Sequence, residues 1–271
     1  MNKGKVELIT KELFAKTLKM NTFLINIAMR IMNIPKLNRF YRSLLPAKST
    51  AELFQKALKA RKISIDVDKK LIEQLPNEPF IIISNHAHGI LDGLILVTLL
   101  NEKYPGFKLT ASYHIAQLEP LSGSLIPVSP FKDANYKPMG GTNKVFELLK
   151  QGHPVGLFPA AGVATYYRKS KEITDQPWRE KAIRLIKKAQ VPILPLYIWG
   201  KNSCMFYFFK KIHWTLGSLR MIKEFFKKKN ISVHVEIGRI IKPEEYNVYN
   251  NLEELGAFLR NEVFRLKNYS V

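Results

Sequence analysis

At 271 residues and 31.3 kDa, the chain is long enough to bury a full core and is sized for one large domain with an appendage. Its 46% hydrophobic and 24% charged residues, with 14 Gly and 15 Pro, exclude a disordered or collagen-like polypeptide. Lys and Arg outnumber Asp and Glu by 43 to 22, a net charge of +21 that implies a polyanionic partner, either nucleic acid or an anionic membrane surface.

The single cysteine, Cys204, excludes a disulfide scaffold and a cysteine-rich zinc site, and it suits a reducing cytoplasm. No apolar segment with a small-residue cleavage site opens the chain, so no secretion signal is expected. Residues 1–50 hold ten Lys/Arg against two Asp/Glu. Within them Met20, Phe23, Leu24, Ile27, Ile31 and Ile34 recur at steps of three and four. This spacing predicts a helix with a wide apolar face, flanked by Lys16, Lys19, Lys36, Arg39 and Arg42 and ended by Pro35. Two readings stand for it: an ordinary helix packed on its own domain, or an interfacial helix with its apolar face in the acyl region and its cations on anionic headgroups. The aromatics Phe14, Phe23, Phe40 and Tyr41 form no stacking platform and no nucleic-acid motif occurs, so a membrane is favoured over nucleic acid.

Beyond residue 50, short apolar runs alternate with helical patterns. Pro79–Ser84, Lys108–Ser112, Leu125–Ser129, Pro154–Phe158, Pro192–Ile198 and Ile231–Ile237 read as strands, most of them continuous runs suited to burial on both faces. Leu91–Leu100, Thr142–Lys150 (with Thr142 as N-cap), Trp178–Ala189, Leu219–Lys229 and Leu252–Leu266 read as helices. The alternation predicts an α/β fold, a mostly parallel mixed sheet covered by helices and preceded by an N-terminal amphipathic helical hairpin. The boundary is set within Pro35–Ser49, giving residues 1–45 as a membrane-associating helical segment and 46–271 as the α/β domain. A second basic patch spans residues 201–230, eight Lys/Arg against Glu224 alone. The longest stretch free of charge, Gln151 to Tyr167, is 17 residues broken by Gly, Pro and His, too short and interrupted for a spanning helix.

The most informative stretch runs from Phe80 to Leu96, FIIISNHAHGILDGLIL. An apolar strand delivers His86 and His88 to its carboxyl end, where open α/β sheets gather their catalytic groups, and Asp92 falls in the first turn of the next helix. An imidazole whose second nitrogen meets a carboxylate is a general base with a fixed tautomer. His86 and Asp92 can form such a pair if Gly89 lets the chain fold back; His88 and Asp92, four apart, can instead pair along a helix. In a dinuclear metallohydrolase the Asp follows the second His by two residues; here Gly89-Ile90 intervene, and no metal site is expected. No G-x-S-x-G elbow, Walker loop or dinucleotide fingerprint occurs, and Cys204 is expected to be a small buried thiol. A His/Asp pair without a protein nucleophile fits attack of a substrate hydroxyl on an activated acyl donor such as a thioester.

Asn85-His86-Ala-His-Gly-Ile-Leu-Asp92-Gly resembles the first signature of the glycerolipid acyltransferase superfamily, which includes the lysophosphatidic acid acyltransferases. The usual spacing there is H-x4-D. The H-x5-D from His86 is similar to the hemolysin-like branch of ornithine- and glycine-lipid O-acyltransferases, with N-H-P-F-G-G-x-D-G, and favours His86 over His88. Leu125-Ile-Pro-Val-Ser-Pro-Phe-Lys132-Asp resembles the second block, with Lys132 where a basic residue meets the acceptor headgroup. Phe158-Pro159-Ala160-Ala161-Gly162 resembles the third block, F-P-E-G-T or F-P-A-G-E, without its Glu and with Gly162 one place later. Val191 to Tyr197 resembles the fourth, and Asp175-Gln-Pro-Trp178, Gly200-Lys-Asn202-Ser203 and Asn38-Arg-Phe-Tyr41 are also similar to the hemolysin-like branch.

The resemblance spans residues 35–242 and implies an O-acyltransferase on the cytoplasmic face of the membrane. It would move an acyl group from a CoA or acyl-carrier-protein thioester, with no cofactor, to a lyso-amino-acid lipid or lysophosphatidate. His86 is then the base and Asp92 its orienter. Asn85, His88, Lys132, Phe158, Pro159, Gly162 and Arg168 are expected at the substrates, with an oxyanion site at backbone N–H groups near Gly162 or at the helix after Gly89. A catalytically degenerate lipid-binding member and a His/Asp hydrolase remain as alternatives.

Overall fold

The computed structural model describes residues 7–12, 22–128 and 140–268. In chain order the elements are α1 (Thr22–Ile31), α2 (Ile34–Ser43), α3 (Thr50–Ala60), β1 (Ile63–Asp66), α4 (Lys69–Glu73), β2 (Ile81–Ser84) and α5 (Ile90–Asn101). Then come β3 (Lys108–Ser112), α6 (Tyr113–Ala116), α7 (Glu119–Ser122), β4 (Leu125–Val128), α8 (Gly141–Lys150), β5 (Val155–Leu157), β6 (Thr165–Tyr167) and β7 (Glu172–Thr174). The chain continues through α9 (Glu180–Ala189), β8 (Ile193–Ile198), α10 (Cys204–Ile212), α11 (Trp214–Lys227), β9 (Ile231–Ile237), α12 (Pro243–Asn247) and α13 (Leu252–Arg265).

Seven strands form one sheet in the order β1-β9-β8-β2-β5-β3-β4, and β6 and β7 form a separate antiparallel pair. Strands β8, β2, β5, β3 and β4 run parallel to one another; β9 is antiparallel to β8, and β1 is parallel to β9. The α/β fold with a mostly parallel sheet is thus as the apolar runs predict. β2 is the middle strand, and its Ile81-Ile-Ile-Ser84 is buried throughout. Ile82 enters the core shared with α3 and α5, whereas Ile81 and Ile83 enter the core shared with α8, α9 and α13. A strand covered on both faces needs an unbroken apolar run, and burying each such side chain contributes roughly 1.5–3 kcal/mol. α5 is apolar on nearly all sides because it lies within the first of these cores.

The first helix departs from its predicted form. Met32 and Asn33 break it, with Asn33 in the left-handed region at φ 64°, and Pro35 lies in the first turn of α2. Pro35 therefore starts a helix: the first turn has no use for the missing N–H, and proline's φ suits it. Most of the predicted seam, Pro35–Ser49, is accordingly helical, and Tyr41 and Leu44 join the main core. α1 and α2 dock through Ile25, Met29 and Ile34 onto Ile222 of α11. α8 begins at Gly141 behind a left-handed Gly140, so Thr142 lies inside the helix and is not its cap. Cys204 opens α10 and is exposed, contrary to the expected buried thiol. The N-terminal residue pattern before Thr22, with Lys16, Lys19 and Met20, lies outside the described residues, as does Lys132. Among the described residues no helix is long and apolar enough to cross a membrane.

Candidate active site

The carboxyl ends of β2, β5 and β8, three adjacent parallel strands, lie at one edge of the sheet. β2 stops at Ser84, and Asn85 locks its end to β8. The Asn85 Nδ2 donates to the Ile198 carbonyl at 2.9 Å, and its Oδ1 accepts the Ile198 N–H at 2.7 Å. Asn85 is buried, and both ends of its amide tie the end of β2 to β8.

His86 follows at the rim. Its Nδ1 lies 2.8 Å from Asp92 Oδ2. Asp92 is fully buried, and the same Oδ2 also accepts the main-chain N–H groups of His88 and Gly89, each at 2.8 Å. Burial disfavours the Asp92 charge, yet the His86 hydrogen bond, the two neighbouring imidazoles and the Gly89 N–H together hold the carboxylate below its usual range. An ionised carboxylate only accepts, so Nδ1 of His86 carries the proton and the lone pair sits on Nε2. Nε2 makes no hydrogen bond within the described residues, and the side chain keeps 16% exposure. The ring is braced on its flat side by Phe158, stacked at 4.1 Å and 17°. Its main chain is held from both directions: the His86 N–H donates to Asp175 Oδ1 at 3.0 Å, and the Ala164 N–H donates to the His86 carbonyl at 2.7 Å.

The turn between His86 and Asp92 depends on Gly89, whose φ of 88° lies in the region that favours glycine. That bend sets Asp92 at the third position of α5, from which its carboxylate reaches back over the start of the helix. His88, the rival base, is turned inward. Its Nε2 lies 3.0 Å from the Trp199 carbonyl, and burial lowers its pKa. The ring rests on Gly200, where any Cβ would stand 2.1 Å from it. Only the main-chain N–H of His88 meets Asp92, so the alternative pairing of His88 with Asp92 along a helix does not form.

The turn after β5 carries the other expected residues. Pro159 is buried and its carbonyl accepts the Arg179 N–H at 2.9 Å. The left-handed position is Ala161, at φ 57°, and not Gly162, so the residue one place before the displaced glycine carries the backbone strain. Gly162 is partly exposed, and Gln176 is its nearest neighbour on the side where a Cβ would project. Arg168 sits exposed in the turn between β6 and β7.

Four further groups support the site. Asp175 is 2% exposed, its pKa raised by burial, and it accepts from the Trp178 indole at 3.3 Å as well as from His86. Half-buried Lys210 donates to the Val163 and Ala164 carbonyls, and burial brings its pKa down to about 8. Asn202 donates to the His88 carbonyl at 3.3 Å and accepts from Lys228 at 2.6 Å. Glu224, 1% exposed, accepts the N–H and hydroxyl of Ser203, which caps α10. Asp175, Asn202 and Ser203 fall in short motifs the sequence singles out; nothing local marks Lys210 or Glu224. Among the described residues no group of three His, Cys, Asp or Glu is placed to hold a metal ion. A cavity of about 600 Å³ lies between α9 and α13, lined by Trp178, Ile183, Leu252, Gly256 and Arg260 among others and not by His86 or Asp92.

A sequence model of an acyltransferase family matches residues 19–270 of this chain. The chain belongs to that family. This acyltransferase is 25% identical over 209 residues to the lyso-glycine lipid O-acyltransferase of Bacteroides thetaiotaomicron, covering 74% of this chain and 75% of that one. It is 24% identical over 213 residues to the protein of the same name from Phocaeicola vulgatus, covering 74% and 73%. The crystal structure of the 1-acyl-sn-glycerophosphate acyltransferase PlsC from Thermotoga maritima aligns over 96% of this chain and 97% of its own, at 13% identity and a TM-score of 0.48.

Proposed function

We propose that this acyltransferase moves a fatty acyl group from a CoA or acyl-carrier-protein thioester to the hydroxyl of a lyso-lipid, with His86 as general base and Asp92 as its orienter. The observation that carries this reading is the 2.8 Å bond between His86 Nδ1 and an Asp92 carboxylate with no exposure to water. That carboxylate keeps the lone pair on Nε2 and stabilises the imidazolium formed when the acceptor hydroxyl gives up its proton. The alkoxide-like oxygen attacks the thioester carbonyl, the tetrahedral oxyanion collapses, and the thiol leaves with the proton returned by His86. A thioester is already activated, so no protein nucleophile is needed. The Gly162 N–H, which meets no acceptor among the described residues, is our choice for an oxyanion donor, since the Gly89 N–H is committed to Asp92.

A lyso-lipid acceptor is supported by the two relatives, both named lyso-glycine lipid O-acyltransferases. Lys132 and Arg168 remain our candidates for its headgroup or the carrier. Attachment to an anionic membrane is supported by α1, which packs through Ile25 and Met29 and leaves Leu24, Ile27 and Ile31 between 42% and 51% exposed.

The test is a radiolabelled acyl thioester offered with lyso-glycine lipid, a lyso-ornithine lipid and lysophosphatidate. Wild type acylates at least one of them, and His86→Ala lowers that rate roughly 10²–10⁴-fold. Full activity in His86→Ala, or a greater loss in a folded His88→Ala variant, overturns the assignment of the base.

A further inference from the structure

We propose that the outer edge of α10, formed by Met205, Phe208 and Ile212, inserts into an anionic bilayer and so brings the active-site rim to the lipid surface. These three side chains are 49%, 58% and 59% exposed, the last two among the most exposed large apolar groups of the described residues. At positions i, i+3 and i+7 they share one face of the helix, so they form a ridge and are not scattered contacts. The opposite face is the buried one, with Phe206 and Tyr207 in the interior and Lys210 bonded to the Val163 and Ala164 carbonyls.

Charge identifies the occupant. The segment 201–230 holds eight Lys/Arg and one acid, and that acid, Glu224, is buried against Ser203 and Lys227 and presents no negative charge at the surface. Lys201 and Lys211 are exposed just before and beside the ridge. Apolar side chains fringed by cations, without exposed acids, fit headgroups with acyl chains beneath them. The position of the helix adds a reason. α10 packs against α11, the helix that also carries α1 through Ile222, so both exposed apolar ridges are borne by one element. From α10 a short series of contacts leads to the chemistry: Lys210 holds the Ala164 carbonyl, and the Ala164 N–H holds His86.

This goes beyond the α1 attachment above and rests on the lyso-lipid reading only in its choice of a bilayer. Its test needs no turnover, so its failure is separate from failure of the acyl-transfer reading. Cys204 is the only cysteine, is exposed, and precedes Phe208 by one helical turn. An environment-sensitive fluorophore on Cys204 of the full chain should blue-shift on adding vesicles of phosphatidylcholine with phosphatidylglycerol, and far less with phosphatidylcholine alone. In unlabelled protein, Phe208→Asp with Ile212→Asp should lower co-sedimentation with the anionic vesicles roughly tenfold or more, with unchanged circular dichroism. A probe that stays in water while the protein sediments with vesicles overturns the proposal. So does a double variant that binds as wild type, or a blue shift driven by protein concentration without lipid, which would assign the ridge to a second copy of the chain.

Discussion

The turns that follow β2 and β5 lie side by side and each bends through a left-handed residue, yet they are built differently. After β2 the residue is Gly89, at φ 88°; after β5 it is Ala161, at φ 57°. The two meet where the Ala164 N–H donates to the His86 carbonyl at 2.7 Å, and a Cβ at Gly89 would stand 3.1 Å from Val163 Cγ2 and 2.4 Å from Met221 Sδ of α11. In the first turn the bend itself is the working part: it carries two of the N–H groups that converge on Asp92 and sets the carboxylate at His86. In the second, the contacts with His86 lie three residues to either side of the strained position, the Phe158 ring on the imidazole and the Ala164 N–H on the His86 carbonyl. Alanine's unfavourable backbone is therefore tolerated in a bend whose contacts with His86 lie to either side of it, and glycine stands where the bend is itself the contact.

The sharpest way to break the comparison is to remove charge from the first turn. Asp92→Asn keeps the shape but not the anion, and should lower acyl transfer roughly 10²–10⁴-fold with the fold retained. Because the folded carboxylate titrates below its usual 3.8, its stabilising contribution is full above that pH and is lost as pH falls through the folded value. Thermal melts of wild type and Asp92→Asn should accordingly draw together in acid; a gap that widens below pH 4 contradicts the ionised carboxylate. Next in size is Gly89→Ala, which combines a disfavoured φ with a collision against Met221 and should cost roughly 2–4 kcal/mol in denaturant unfolding, together with activity. Ala161→Gly should act in the opposite direction, raising stability by about 1 kcal/mol with activity kept. A loss of stability in Ala161→Gly would show that the turn after β5 is not strained and would remove the contrast.

How much of this was legible beforehand follows from range along the chain. The six predicted strands all occur: β2, β5 and β8 are buried at almost every position and are nearly unbroken apolar runs, whereas β9 alternates and buries Val233, Val235 and Ile237. β1 was missed because Ile-Ser-Ile-Asp is four residues and half polar, and β6 and β7 because they are three residues each and only partly buried. α3 and α10 were missed although Ser49 and Ser203 cap them in the ordinary way, with the side chain accepting from the N–H three residues on. The pairing of His86 with Asp92 was legible as a possibility because both lie within eight residues of the end of β2.

What the residues alone determined, then, is whatever is encoded within a few positions: the middle strand, the edge at which it ends, and an acid and a base near that edge. Which histidine faces outward was decided by a partner 111 residues away, the Trp199 carbonyl, and by the absence of a side chain at Gly200. The support given to His86 by Asp175, and to its neighbouring loop by Lys210, was decided in the same way, by strands and helices brought together at the sheet edge. Local spacing restricts which groups are able to meet, whereas burial and hydrogen-bond satisfaction across the assembled core select which of them do.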